Sequence, residues 1–174
     1  MEIVRVFYND DLVKKLPVRW TAMQNLHLTL QFLGDTEEKR VAQIKGILDN
    51  ILPPRHAEQL TLTGVGAFPN PSSPRIIWIG FDKNDYLLRI QQLLTHSLET
   101  AGFEVDRKRY RPHLTLGRVR ENSVFPSNAL QHLESISGKM NFASSPLDRV
   151  TLYESVLRPG GPVYSAVYEK MLNR

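Results

Sequence analysis

Apolar residues alternate with polar ones over several short stretches, and recur at helical spacing over two longer ones. A period of two marks a strand with one buried face; steps of three and four mark an amphipathic helix. On this basis strands are expected over residues 3–8, 25–33, 58–65, 75–81, 103–105, 111–119, 140–143, 150–157 and 164–171. Residues 10–16 allow a turn or two of helix before Pro17 interrupts it. Val41, Ile44, Leu48 and Ile51 predict a helix with Thr36 as N-cap, Glu37 and Glu38 in its first turn, and Pro53-Pro54 as its stop. A second helix starts from Asn84 or Asp85, turns Leu87, Leu88, Leu94 and Leu98 inward, and ends at Gly102. A weaker helix is expected over 127–136. Residues 67–74 and the run Pro159-Gly160-Gly161-Pro162 read as loops. Long helices among many alternating strands predict an α+β fold.

Two of the expected strands carry the same tetrapeptide, His-Leu-Thr-Leu, at residues 27–30 and 113–116. Strand parity puts Asn25, His27, Thr29 and Gln31 on one face and Leu26, Leu28, Leu30 and Phe32 on the other. In the second copy Arg111, His113 and Thr115 oppose Leu114 and Leu116. Each strand thus offers an apolar face to a core and a face of hydrogen-bonding groups to solvent. The order of elements around the two copies predicts a duplicated unit, with the repeated strands in related positions about a pseudo-two-fold axis.

Composition changes this picture little. The 174 residues suit one domain, with 41% hydrophobic and 23% charged residues. The net charge of +4 permits a polyanionic partner without requiring one. The absence of cysteine excludes disulfides, thiolate metal sites and a cysteine nucleophile. The opening residues do not form a signal peptide and no apolar run is long enough to span a bilayer, so a cytoplasmic protein without membrane attachment is expected.

Two imidazoles on one face suit paired general acid and base catalysis, since imidazole titrates near neutral pH. The threonine two residues along each strand can donate a hydrogen bond to a phosphoryl oxygen. No cofactor and no metal is expected, because the nearby acids Asp35 and Glu121 flank these strands and the His-x-Thr spacing supplies no second ligand. His56, His96 and His132 share no such context and read as surface or structural residues. For contact with a phosphate, parity favours Arg111, on the face of His113 and Thr115. Arg118 falls on the other face unless a bulge at Gly117 re-aims it. The run of residues 107–111 reads equally as a solvated edge or a phosphate-tracking patch.

The paired motifs, in the contexts of residues 25–35 and 111–119, resemble the two H-x-T-x motifs of the two-histidine phosphoesterases. Within that superfamily the chain is most similar to the LigT-like RNA 2′,3′-cyclic phosphodiesterases, historically called 2′-5′ RNA ligases. Residues 68–69, 74–80 and 152–164 add to the likeness. The resemblance implies one domain over residues 1–174 with two pseudo-symmetric lobes: a bilobal duplicated fold, two antiparallel sheets around a central cleft, and helices outside. It implies metal-independent hydrolysis of cyclic phosphate ends to 2′-phosphates, with His27 as proton donor to the departing 3′ oxygen and His113 as proton acceptor. Thr29 and Thr115 would hold phosphate oxygens. Arg118 matches a recurrent arginine after the second motif, so resemblance favours it where parity favours Arg111. The implied partners are RNA ends or small cyclic nucleotides, met by a monomer. A reversible 2′-5′ ligase and a non-catalytic RNA-binding module are the alternatives. One departure is the segment before the first motif: residues 10–24, broken by Pro17, replace the longer helix usual in the family. Trp20, Phe68, Tyr153 and Tyr164 are the aromatics considered for stacking on a base.

Overall fold

Asp10 makes the first corner of the chain by accepting hydrogen bonds from the Leu12 and Val13 N–H groups at 2.9 Å. It thereby caps α2, Asp11–Lys15, and separates it from α1, Glu2–Asn9. The computed structural model describes residues 2–51, 58–82, 84–106, 108–138, 144–159 and 161–172. After α2 follow β1 (Val18–Trp20), α3 (Val41–Ile51), β2 (Glu58–Phe68), β3 (Ile76–Phe81), α4 (Asp85–Thr100), β4 (His113–Val119), α5 (Ala129–Gly138), β5 (Ser144–Leu147), β6 (Arg149–Arg158) and β7 (Gly161–Met171). The strands form a five-stranded sheet in the order β1–β4–β3–β2–β5 and a two-stranded sheet β6–β7. Every strand pair with a defined register is antiparallel, and the α+β class stands.

The chain divides into two compact units. The first comprises residues 1–29, 60–83 and 110–145, the second residues 30–59, 84–109 and 146–174. The first unit's core joins Phe7, Val13 and Val18 to Val65, Ile77, Ile79, Leu114, Leu116 and Leu133, the inward residues of its sheet and helices. The second unit packs Ile44 and Leu48 of α3 against Tyr86, Ile90, Leu94 and Leu98 of α4, with Phe103, Val150 and Leu172. In α4 the expected Asn84 cap is present, its side chain accepting from Leu87 N–H at 2.7 Å. Gly102 at φ +77° closes the other end: its N–H bonds to Glu99 and the Phe103 N–H to Leu98.

Four expectations are corrected. Residues 3–8 are helical in α1, despite their β-branched side chains. Packing against α5 and complete burial of Phe7 override local propensity there. Residues 25–33 form no regular strand: Met23–Asn25 is a 3₁₀ turn, and only Leu28 bridges to the sheet. Residues 18–20, not expected as a strand, take that edge of β4 instead. Phe32 is 71% exposed, so the apolar face of the first copy ends at Leu30. Thr36 caps nothing; its hydroxyl donates to the Leu33 and Gly34 carbonyls, and a 3₁₀ turn at Glu38–Arg40 leads into α3. Residues 103–105 are not a strand, because the Phe103 N–H closes α4 and its ring lies under the Arg40 guanidinium, 3.5 Å from the ring centre. The strand expected over 140–143, the stop at Pro53-Pro54 and His56 lie outside the described residues.

Candidate active site

β4 carries the second His-Leu-Thr-Leu copy and is the strand from which the site is built. Against β3 it pairs His113 with Gly80, Leu114 with Ile79, and Thr115 with Trp78. The register then slips: Gly117, not Leu116, faces Ile77, and Arg118 faces Ile76. Leu116 is the extra residue of a β-bulge, and both it and Gly117 are buried. Partners directly across a ladder share a face, so Arg118 shares the face of Ile76 and Trp78, and hence of Thr115 and His113. The bulge thus re-aims Arg118 onto the polar face and brings it beside the motif. Arg111 lies ahead of β4, and its defined contribution is its main-chain carbonyl.

The bulge is held from three sides. Thr21 N–H donates to the Leu116 carbonyl at 2.8 Å, and the Tyr8 hydroxyl lies 2.6 Å from the Thr21 carbonyl and 3.3 Å from that of Leu116. Burial pushes the Tyr8 phenol up to about 12, so it stays a donor. At Gly117 a β-carbon would come 2.5 Å from Val18 Cγ1 and 3.0 Å from the Arg19 carbonyl oxygen, so β1 approaches only because the residue is glycine.

The first copy joins at one point. Leu28 bridges Leu114 in the antiparallel sense, so His27 runs alongside Thr115 and Thr29 alongside His113. Farther along, Arg19 of β1 faces Arg118. The Tyr110 hydroxyl donates to the Thr29 carbonyl at 3.1 Å and ties the copies together again; burial raises its pKa as well.

Each histidine is oriented in the same way. Nδ1 of His27 lies 2.7 Å from the Asn25 carbonyl, and Nδ1 of His113 lies 2.7 Å from the Arg111 carbonyl. A carbonyl only accepts, so Nδ1 carries the proton in both rings and Nε2 holds the lone pair of each neutral imidazole. The His113 ring meets Phe68 edge-on at 5.0 Å and Trp78 at 6.3 Å. Trp78 lies over glycines of the sheet: a β-carbon on Gly66 would strike its ring, and one on Gly80 would stand 3.3 Å from it. Gly64-Val65-Gly66 opposite a tryptophan strand was the sequence signal for this flat aromatic wall; Arg19, Tyr8 and Tyr110 carried none.

The other candidates fall elsewhere. His96 is exposed on α4, and His132 of α5 pairs with Asp10 at 3.1 Å. Trp20 packs on the first unit's core, while Tyr153 and Tyr164 pair at 6.0 Å across β6 and β7 in the second. Among the described residues no group of three or more His, Cys, Asp or Glu side chains is placed to hold a metal ion, and no helix is long and apolar enough to cross a membrane.

Known proteins resemble this chain in sequence and in fold. The profile described as LigT like Phosphoesterase matches residues 8–78 and again 79–164, each match containing one His-Leu-Thr-Leu copy. An RNA 2′,3′-cyclic phosphodiesterase of Thermotoga maritima is 31% identical over 92% of this chain and 85% of its own length. One from Archaeoglobus fulgidus is 35% identical over 81% of this chain and 76% of its own. In fold the chain is similar to TT0787 of Thermus thermophilus (TM-score 0.78, 22% identity, 98% of this chain and 90% of that one). It is also similar to E. coli LigT in complex with 3′-AMP (TM-score 0.76, 23% identity, 99% and 92%). A profile matched twice over nearly the whole length, once around each motif, places this chain in the LigT-like phosphoesterase family.

Proposed function

We propose that this protein hydrolyses RNA 2′,3′-cyclic phosphate ends to 2′-phosphates, with His27 as proton donor and His113 as proton acceptor. The observation that carries the reading is the matched treatment of the two histidines: each sits in the same tetrapeptide, and each Nδ1 is fixed by the carbonyl two residues earlier. The relatives named RNA 2′,3′-cyclic phosphodiesterase support the reaction class.

The chemistry follows from the tautomer. Neutral His113 offers Nε2 as a base to a water that attacks phosphorus opposite the 3′ oxygen. Protonated His27 offers Nε2–H to that oxygen as the P–O3′ bond breaks. A new P–O bond forms, the ring opens, and the 2′-phosphate remains. The water proton rests on His113 and the His27 proton on the 3′ hydroxyl; exchange with solvent resets both. Thr29 and Thr115 donate to the non-bridging oxygens, and Arg118 supplies positive charge as the negative charge shifts in the transition state. Neither histidine forms a bond to phosphorus, and the scheme calls on no metal.

An oligonucleotide ending in a 2′,3′-cyclic phosphate, incubated with the protein in EDTA and resolved by chromatography against 2′- and 3′-phosphate standards, tests this. A 2′-phosphate product is expected. A 3′-phosphate product, or activity abolished by EDTA, would overturn it.

A further inference from the structure

Arg19 and Arg118 stand directly opposite each other on adjacent antiparallel strands, on the face that carries His113 and Thr115. Like charges across a ladder destabilise a sheet. Both residues are exposed, and among the described residues neither makes an ion pair with a carboxylate. Two cations elsewhere do find acids: exposed Arg149 meets Asp148 and Glu169, and half-buried Lys170 meets Asp49. Two guanidinium groups kept side by side without an acid make a receptor for an anion, since each can offer paired N–H donors to phosphate oxygens.

The ladder orders this pair relative to the reacting groups. Along β4 the sequence on the polar face is His113, Thr115, Arg118; alongside it run Thr29, His27 and then Arg19. The arginine pair therefore lies past the histidine and threonine pairs, toward one end of the face. Its extra member, Arg19, stands on the edge strand β1, at the margin of the five-stranded sheet. One phosphate is already accounted for by the threonines and Arg118. The geometry points to a second phosphate, the 5′-phosphate of the terminal nucleotide, held by Arg19 together with Arg118. This rests on the phosphodiesterase reading and adds a substrate preference to it: cyclic phosphate ends within an RNA chain, over nucleoside cyclic phosphates that have no 5′-phosphate. The crowding at Gly117, against Val18 and the Arg19 carbonyl, fixes the two strands at the separation that brings the arginines together.

The test compares two substrates, adenosine 2′,3′-cyclic phosphate with a free 5′ hydroxyl and the same nucleotide bearing a 5′-phosphate. Arg19→Gln is expected to lower the ratio of kcat/KM for the second over the first about tenfold, mainly through KM, with Arg19→Lys recovering part of the ratio. Equal losses on both substrates, or no loss on either, would overturn the second-phosphate site. Binding of a fluorescent 5′-phosphorylated dinucleotide, read by anisotropy against salt, separates the two levels of the claim. If wild-type protein turns over neither substrate, the phosphodiesterase reading fails. The anisotropy still decides the phosphate site: weaker binding by Arg19→Gln, with a salt slope shallower by about one, supports it, and an unchanged slope overturns it.

Discussion

Leu28 and Leu114 meet across a single antiparallel bridge, and that bridge is the one ladder contact joining the two copies of the repeated tetrapeptide. Its sense is what matters chemically. An antiparallel meeting of two His-x-Thr stretches sets each histidine beside the other copy's threonine, so the two imidazoles lie diagonally and the two hydroxyls fill the other diagonal. The phosphate proposed to bind here would have a threonine hydroxyl at two opposite corners of such a square and an imidazole, one donor and one acceptor, at the other two. A parallel meeting would put histidine beside histidine and leave both proton-transfer groups on one side.

Removal of either imidazole is expected to lower turnover of a cyclic phosphate end by about 10²–10⁴-fold while the fold persists. Steady-state kinetics of His27→Ala and His113→Ala, with circular dichroism melts as the folding control, check this. Near wild-type rates in both variants would leave the acid–base pair without support.

The bulge at Leu116 and Gly117 makes a separate prediction. A methyl at Gly117 would meet Val18 Cγ1 and the Arg19 carbonyl, so β1 must move or the bulge must close. Either turns Arg118 away from the face of Thr115. Gly117→Ala should cost about 1–3 kcal/mol of stability, as overpacking does, and lose activity to the level of Arg118→Ala. The double variant should then be no slower than Arg118→Ala alone. Additive losses would show that the bulge does not act through that arginine.

Tyr8 supports the same bulge from α1, through a hydroxyl aimed at the Thr21 and Leu116 carbonyls. Tyr8→Phe keeps the ring packing on Trp20 and deletes only the donor. The expected cost is about 0.5–1.5 kcal/mol in urea denaturation, with an unchanged m value. A loss well below that range would mean that Thr21 N–H alone holds the bulge.

How much of this was legible in the sequence depends on how local each cause is. The parity of β4, the Asn84 cap and the Gly102 stop of α4 rest on neighbours in sequence, and all were readable. The helix over residues 2–9 was not, because what decides it is burial of Phe7 against strands and a helix far along the chain. The first copy read as a strand from its alternation, yet the edge of β4 beside it is occupied by residues 18–20, a competitor too short to announce itself. Whether Arg118 shares the face of the motif turned on one extra residue in a ladder. Parity could name Gly117 as a place for the slip, but only the partners Ile77 and Ile76 fix where it falls.

The pairing of Asp10 with His132 gives the fold a pH-dependent element away from the site. The Val13 N–H first, then the His132 ring and the Leu12 N–H, hold the Asp10 carboxyl below its ordinary range. A depressed carboxyl pKa adds stability above the unfolded value of about 4, and that contribution is lost as pH falls through the lower folded value. Asp10→Asn keeps an acceptor for the cap of α2 but cannot titrate. The stability of wild type relative to Asp10→Asn should therefore be greatest near neutral pH and shrink as pH drops below about 4. Asp10→Ala, which loses the cap itself, should cost about 1 kcal/mol near neutral pH. Urea midpoints of the three proteins between acid and neutral pH provide the check. A wild-type advantage over Asp10→Asn that stays constant into acid would show that the carboxyl's charge adds nothing beyond the cap.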